Sequence, residues 1–295
     1  MPRGRIALGA SVALVAMACA LVGCSGGGDP GGDPGGSGDP AALDGITASV
    51  GQGRVDISGG RIFVLVENGR DDEVTVRSVE VRSPGFEPGM AKSTPTGFAP
   101  GRAIAIRLMP TDAVCTEPVA PVTVVLDVET AAGAGRGELP AEDAFGALQR
   151  VQDQACLAES VDSVAVITLP EHLRTSGSGA GTRAVIDVTV VPAGGGGSVH
   201  VTGVSGTTLL NAEDTPDWTL DVEIAGSDPP SMIELPVRPN RCDAHAVAED
   251  KVGTILPFEV TTSDGRSGQL GIKAGDTLRA DLYAYYAERC GLPAG

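Results

Sequence analysis

The chain has 295 residues and a formal charge of −17, and only 3% of its residues are aromatic. A strongly acidic surface repels nucleic-acid phosphates and anionic lipid headgroups. The composition therefore argues against nucleic-acid binding and against electrostatic docking on a membrane. The length allows one large domain or two ordinary ones.

The first 23 residues have the pattern of an export signal. Arg3 and Arg5 precede an uncharged apolar run over residues 6–21, and small residues follow. The run falls short of the roughly 20 residues that a spanning helix needs, which favours cleavage. We predict a signal peptide over residues 1–23. Its removal changes the formal charge from −17 to −19, because it carries two arginines and no acid.

The predicted cleavage point carries the motif Leu21-Val22-Gly23-Cys24. This motif resembles the lipobox of bacterial lipoproteins. The resemblance implies that Cys24 is diacylated and becomes the first residue of a chain held at the cell membrane on its extracytoplasmic side. Two acyl chains suffice for stable attachment, since each buried methylene contributes about 0.8 kcal/mol. The alternative is an ordinary signal peptide with an incidental cysteine.

A tether follows the lipidation site. Residues 25–40 contain only Gly, Asp, Pro and Ser. Such a segment has nothing apolar to bury, so we predict that residues 24–41 form a lipidated cysteine and a disordered N-terminal tether. Random-coil scaling gives this tether a reach of roughly 20–25 Å.

The remaining chain contains an internal repeat. Residues 125–130 and 257–262 are similar, as are 62–66 and 184–191, and each half has two cysteines. Four cysteines outside the reducing cytosol allow three pairings. The repeat selects Cys115 with Cys156 and Cys242 with Cys290. We therefore predict a first domain over residues 42–160 and a tandem duplicate over 161–293.

Each half is rich in short β-branched segments with turn signals between them, which predicts a mainly β fold of two tandem immunoglobulin-like β-sandwich domains. Asn68-Gly69 reads as the turn of a hairpin. Pro257 suggests an edge or bulged strand. Trp218 alternates with apolar residues and is predicted to be core, with an exposed partner surface as the alternative.

Each half is predicted to end in one α-helix. Asp143 and Asp276 are expected to be N-caps, because a carboxylate accepts from unpaired backbone amides there. Phe145 begins the apolar face of the first helix, and Gly291 is expected to stop the second.

The segment 241–251 holds the densest cluster of ligand-type side chains. In a helical turn, His245 and Glu249 lie at i and i+4, a spacing that can hold a divalent metal. The candidate metal ligands are Asp243, His245, Glu249 and Asp250. The other interpretation is a polar loop that caps a helix beside the disulfide, which the sequence favours because residues 116–118 of the first half lack such a cluster. The segment also resembles uncharacterised lipoproteins of high-GC Gram-positive bacteria (actinobacteria), which implies no activity.

Catalytic motifs are not recognisable in the sequence. It contains no Gly-x-Ser-x-Gly, Ser-x-x-Lys, His-Glu-x-x-His or phosphate loop, and its histidines are His172, His200 and His245. The acidic loops 71–73 and 213–217 are either weak calcium ligands or solvated turn acids. We predict a non-enzymatic binding or envelope-interaction module with an envelope or surface protein as its partner, no cofactor and no nucleic acid. The alternative is a metal-binding protein or metal-dependent extracellular enzyme centred on His245.

Overall fold

The computed structural model describes residues 43–248, 250 and 252–292. Within them the predicted fold class is confirmed: the chain is mainly β and forms two immunoglobulin-like sandwiches, each ending in an α-helix. The signal peptide, Cys24, the tether and Glu249 lie outside the described residues. In the part that is described, no helix is long and apolar enough to cross a membrane.

The first sandwich packs a three-stranded antiparallel sheet, in the order β1-β2-β5, against a four-stranded one, in the order β4-β3-β6-β7. Its elements are β1 (Ile46–Gly51), α1 (Arg54–Ser58), β2 (Ile62–Asn68), β3 (Val74–Arg82), β4 (Ala91–Phe98), β5 (Ala103–Leu108), β6 (Thr123–Thr130), β7 (Gly133–Pro140) and α2 (Ala147–Val164). Alternate residues of β2 face the core, because side chains of a strand alternate between the two faces of its sheet. Ile62, Val64 and Val66 are accordingly fully buried.

The second sandwich packs a sheet in the order β12-β14-β10-β8, to which β9 is added through β10, against one in the order β13-β11-β15-β16. Its elements are β8 (Ala165–Thr168), β9 (Arg174–Ser176), β10 (Arg183–Pro192), β11 (Ser198–Val204), β12 (Leu210–Ala212), β13 (Trp218–Ala225), β14 (Ser231–Pro239), α3 (Ala244–Ala248), β15 (Ile255–Thr262), β16 (Ser267–Lys273) and α4 (Asp276–Cys290). Trp218 is core as predicted. It is buried, and its indole Nε1 donates to the carbonyl of Pro236 at 2.6 Å.

The two sandwiches have corresponding strand orders. The order β4-β3-β6-β7 matches β13-β11-β15-β16, and β2 between β1 and β5 matches β10 between β8 and β14. Even a register shift recurs, between Val76 and Ser78 in β3 and between Val201 and Gly203 in β11. A tandem duplication would produce this correspondence, and the duplication itself stays a prediction.

The hairpin predicted at Asn68-Gly69 is wrong. Strand β2 pairs with β1 and β5 in one sheet, while β3 pairs with β4 and β6 in the other. Asn68 is buried at the crossover between them, and its side-chain amide donates to the carbonyls of Asp72 and Phe98. The side chain thus replaces the backbone bonds of a hairpin turn. Local turn propensity could not reveal which sheet the next strand joins.

Of the edge or bulged strand predicted from Pro257, the edge position is wrong, because β15 lies between β11 and β16, whereas the β11–β15 ladder does contain a register shift, between Val201 and Gly203 of β11. The last pair of the β11–β15 ladder joins Val204 to Phe258. Pro257 therefore lies just beyond that ladder. The missing N–H of proline costs little at such a position.

Helix α2 belongs to both sandwiches. Leu148 near its start is buried in the first core, whereas Val161 and Val164 near its end are buried in the second. The sequence favours a helix over residues 147–164, which contain no Gly or Pro. A β-branched run then begins strand β8 directly, at Ala165. The predicted domain boundary between residues 160 and 161 falls inside this helix.

The two predicted N-caps differ. The Asp143 carboxylate accepts from the backbone N–H groups of Ala147 at 2.6 Å and Leu148 at 2.9 Å, as predicted, but the N-cap residue is Gly146, so the predicted N-cap position of Asp143 is wrong. Asp276 is the first residue of α4 and pairs with Arg279 at 2.9 Å, so its predicted N-cap role is wrong. Phe145 lies before the helix and is 83% exposed, contrary to its predicted core position.

Candidate functional site

Both predicted disulfides are present. Cys115 bonds to Cys156 and Cys242 to Cys290, with Cα–Cα distances of 5.6 and 5.2 Å. In each sandwich the bridge joins the loop after β5 or β14 to the terminal helix. Each bridge stabilises the fold by about 2–4 kcal/mol in the chain-entropy account.

A side chain four residues before each helical cysteine holds the same loop. Gln152 Nε2 donates to the carbonyls of Val114 at 2.9 Å and Glu117 at 2.8 Å. Tyr286 donates its hydroxyl to the carbonyl of Arg241 and accepts from the N–H of Asp243 at 3.1 Å. Sequence reasoning identified Tyr286 as core but missed Gln152. A buried polar residue one helical turn before a bridging cysteine is the signal that could have found it.

The 241–251 cluster is organised by backbone contacts. Asp243 Oδ1 accepts from the N–H of His245 at 2.9 Å, and the His245 side chain is exposed. Asp250 Oδ1 accepts from the N–H of Gly253 at 2.6 Å, and its Oδ2 accepts from the hydroxyl of Tyr283 at 2.9 Å. Burial, followed by the hydrogen bond to Asp250, raises the pKa of Tyr283 to about 12. These contacts match the polar-loop interpretation.

The metal hypothesis stays a prediction. Among the described residues, no group of three His, Cys, Asp or Glu side chains is placed to hold a metal ion, and Glu249 is not among those residues. Both oxygens of Asp250 already accept hydrogen bonds, which leaves fewer lone pairs for a metal ion. Metal analysis of protein purified without a chelator, with the His245→Ala variant as the control, tests the metal hypothesis. A stoichiometric ion that is lost in the variant would support the site.

The acidic loops also engage neighbouring groups. Asp72 pairs with Arg70 at 2.8 Å and accepts from the N–H of Ala131, and these bonds hold the pKa of the Asp72 carboxyl below its usual range. Glu213 pairs with Arg289 at 2.6 Å. In both loops the carboxylates contribute to the structure of the sandwich.

A set of contacts joins α2 and the first sandwich to the second. The hydroxyl of Ser160 in α2 donates to Asp264 Oδ1 at 2.7 Å, in the hairpin between β15 and β16. Arg266 in the same hairpin donates to the carbonyl of Cys115 at 3.2 Å. The hydrogen bonds from Thr262 and then Ser160 hold the pKa of Asp264 below its usual range. The disulfide loop, the helix and this hairpin therefore form one connected unit.

An exposed apolar patch lies on the outer face of the β8-β10-β14 sheet. Val166 pairs with Val191, and Thr189, two residues earlier on the same face, pairs with Met232. Val166, Val191 and Met232 are 46, 44 and 60% exposed. We name these four residues the sheet patch. Three of its four side chains are apolar, and Thr189 lies between Val191 and Met232.

Paired charges border the sheet patch. Arg174 donates to Asp187 at 2.7 Å and to Glu234 at 2.5 Å. The guanidinium, as hydrogen-bond donor, holds the pKa of the Asp187 carboxyl below its usual range. The patch thus has an apolar centre beside one arginine that is shared by two carboxylates, which resembles the apolar core and polar rim of protein interfaces.

Comparison with protein-family models gave no match, and comparison with curated proteins gave none. Among solved structures, red sea bream transglutaminase aligns at 10% identity and TM-score 0.25, over 79% of this chain and 31% of that one. The YadV chaperone aligns at 15% identity and TM-score 0.21, over 76% and 97% of the two chains. The calcium-binding domain CBD12 of CALX1.1 aligns at 11% identity and TM-score 0.20, over 74% of this chain and 76% of that one. The chain spans about a third of the transglutaminase. With TM-scores this low, none of these similarities bears on ligand or activity.

Proposed function

We propose that the chain is a lipid-anchored extracytoplasmic module that binds an envelope or surface protein and catalyses no reaction. The observation that carries the proposal is one disulfide in each sandwich, between loop and terminal helix. Structural disulfides persist in oxidising compartments and are rare in the cytosol. The export signal and the lipobox-like motif ending at Cys24 agree with that location.

The sheet patch supports the binding role. Exposed apolar patches of a few hundred Å² often mark interaction sites on monomeric proteins, whereas single exposed apolar residues are common. On the patch, Val191 and Met232 protrude from neighbouring strands of a sheet whose other face is fully packed. Binding there needs no rearrangement of the core, so a rigid partner surface could dock directly.

Replacement of Cys24 tests the anchor. In the native host, the wild-type chain is expected to incorporate a labelled fatty acid and to sediment with membranes, while Cys24→Ser incorporates no label. Cys19→Ser is the matched control, because Cys19 lies within the predicted signal peptide, and it should retain the label. A wild-type chain without label would contradict the anchoring proposal.

Site-specific photo-crosslinking tests the binding role. A crosslinker at residue 191 or 232 is expected to capture the same envelope protein in intact cells. Residue 252 is the control, because Val252 is 44% exposed but belongs to the segment after the 241–251 cluster. Identical products from all three positions, or none from 191 and 232, would count against a specific partner at the sheet patch.

A further inference from the structure

A second exposed apolar group lies at one end of the first sandwich. Val55 and Ile57 of α1 are 54 and 52% exposed, and Met109, directly after β5, is 61% exposed. An ion pair ties α1 to β5, since Arg107 Nε donates to Asp56 Oδ1 at 2.7 Å. The three apolar side chains therefore lie at the same end of the sheet.

The exposed or half-buried charged residues on and next to α1 are arginines, opposite in sign to the net charge of the chain. Arg54 and Arg107 are exposed, and Arg61 is half-buried. The acid of α1, Asp56, is buried and already paired with Arg107. Among the described residues neither Arg54 nor Arg61 has an ion-pair partner, although the guanidinium of Arg61 donates to the carbonyl of Val55 at 3.5 Å. No carboxylate therefore neutralises the charge of either side chain.

The apolar character continues along the outer face of the β1-β2-β5 sheet. Phe63 and Leu65 of β2 face outward, since the alternate residues of that strand fill the core. Leu65 pairs with Ala105, and the Phe63 ring lies against Gly51, where a Cβ would approach the ring to 2.7 Å. The outer face of the sheet is therefore apolar or small at Gly51, Phe63, Leu65 and Ala105.

We propose that this α1 face, defined by Val55, Ile57, Met109, Arg54, Arg61 and Arg107, rests on an anionic lipid bilayer. Apolar side chains flanked by arginines match the boundary between acyl chains and phosphate headgroups. The acidity of the whole chain does not prevent the contact, because charges farther away than the Debye length of about 8–10 Å are screened.

The inference rests on the proposed function, because the anchor is what brings the face to the membrane. Leu43 follows Cys24 by 19 residues. A chain of that length reaches about 60 Å when extended, which exceeds the length of the six-residue strand β1 between Leu43 and α1. A tether this short gives the face a high effective concentration at the membrane, which adds to the affinity that the face has by itself.

Vesicle binding without the anchor tests the proposal. The chain from residue 24 onward, which contains both cores, carries Cys24→Ser and is sedimented with vesicles of phosphatidylcholine, with or without phosphatidylglycerol. We expect binding that needs phosphatidylglycerol and weakens with salt. Val55→Ser with Ile57→Ser, or Arg54→Gln with Arg61→Gln, should each reduce binding roughly tenfold.

The control is the double variant Val191→Ser and Met232→Ser in the sheet patch, which should bind vesicles like the parent. Near-ultraviolet circular dichroism checks that each variant is folded. If the Val55→Ser and Ile57→Ser variant does not fold, the Arg54→Gln and Arg61→Gln variant provides the test. Absence of binding to phosphatidylglycerol vesicles, or equal binding by both α1-face variants and the parent, would overturn the proposal. So would a protein crosslink from residue 57 in the absence of vesicle binding, which would assign the face to a protein.

The two proposals fail separately. Acylation of Cys24 in cells with no vesicle binding by the unacylated chain would sink only the bilayer contact. Vesicle binding by a chain that is never acylated in cells would sink only the lipid anchor.

Discussion

The helices α2 and α4 close their sandwiches in the same way but end differently. Each carries a disulfide to the loop after a strand, and each uses the residue four positions earlier to hold that loop. Helix α4 ends at Cys290, where Gly291 adopts the left-handed conformation. Helix α2 continues past Cys156 to Val164, and its last turns fill the second core. The same closing element is therefore terminal in one sandwich and shared in the other.

Because α2 is shared, damage at its bridge should spread while damage at the α4 bridge should stay local. Cys115→Ala with Cys156→Ala is expected to cost about 2–4 kcal/mol and to loosen both sandwiches. Cys242→Ala with Cys290→Ala should cost a similar amount in the second sandwich alone. Calorimetry measures the loss of stability, and hydrogen exchange shows which sandwich is loosened in each variant. If loss of the Cys115–Cys156 bridge loosened only the first sandwich, α2 would not couple the two cores.

Truncation of the shared end of α2 separates its two roles. Val161→Ala removes fully buried methyl groups and is expected to destabilise the second sandwich by about 1–3 kcal/mol. Val151→Ala, on the half that packs against the first core, is the matched control and should act on the first sandwich. Urea unfolding followed by Trp218 fluorescence reports on the second sandwich. A larger change of its midpoint in Val151→Ala than in Val161→Ala would contradict the assignment.

Gln152 and Tyr286, which hold the two cysteine loops, should contribute differently to the stability of the fold. Gln152→Leu leaves the carbonyls of Val114 and Glu117 without this donor, at an expected cost of about 1–3 kcal/mol. Tyr286→Phe removes one hydroxyl and should cost about 1 kcal/mol. Equilibrium unfolding of both variants gives the ranking, and limited proteolysis shows whether each cysteine loop opens. The reverse ranking would mean that Tyr286 is the stronger support.

The helix starts provide a finer contrast. Asp143→Ala should cost about 1 kcal/mol, because two backbone amides lose their acceptor. Asp276→Ala removes an exposed ion pair and should cost only a few tenths of a kcal/mol. Thermal unfolding of the two variants measures this. Equal losses would show that Asp276 caps its helix in solution.

The smallest expected effect is a pH dependence at the link between α2 and the second sandwich. Hydrogen bonds lower the pKa of Asp264 in the folded state. Its contribution is therefore present above the ordinary carboxyl pKa of about 4 and is lost as the pH falls through the lowered value. Asp264→Asn should flatten the loss of stability on acidification. An unchanged pH profile would mean that the carboxylate does not stabilise this link.

The fold class, both disulfides and most core positions were accessible from the sequence, because they follow from local periodicity and from the repeat. Tyr285, Tyr286 and Leu278, for example, are buried as helical spacing predicts. The crossover at Asn68-Gly69 could not be predicted from the sequence, since the same turn signal occurs in a hairpin and in a crossover between sheets. The cap at Asp276 failed for a similar reason. Which residue begins a helix depends on where the preceding strand leaves the sheet.

By itself the sequence determined the strand content, the disulfide pairing and the polar character of the 241–251 segment. It did so because alternation, residue type and spacing are properties of neighbours along the chain. Only the tertiary structure decided that α2 is shared by two cores, that Val166, Val191 and Met232 meet on one face, and that Arg54, Arg61 and Arg107 gather beside Val55 and Ile57. Those relations join residues from separate strands and helices, and the physical chemistry of a local segment does not specify which distant segment it will contact.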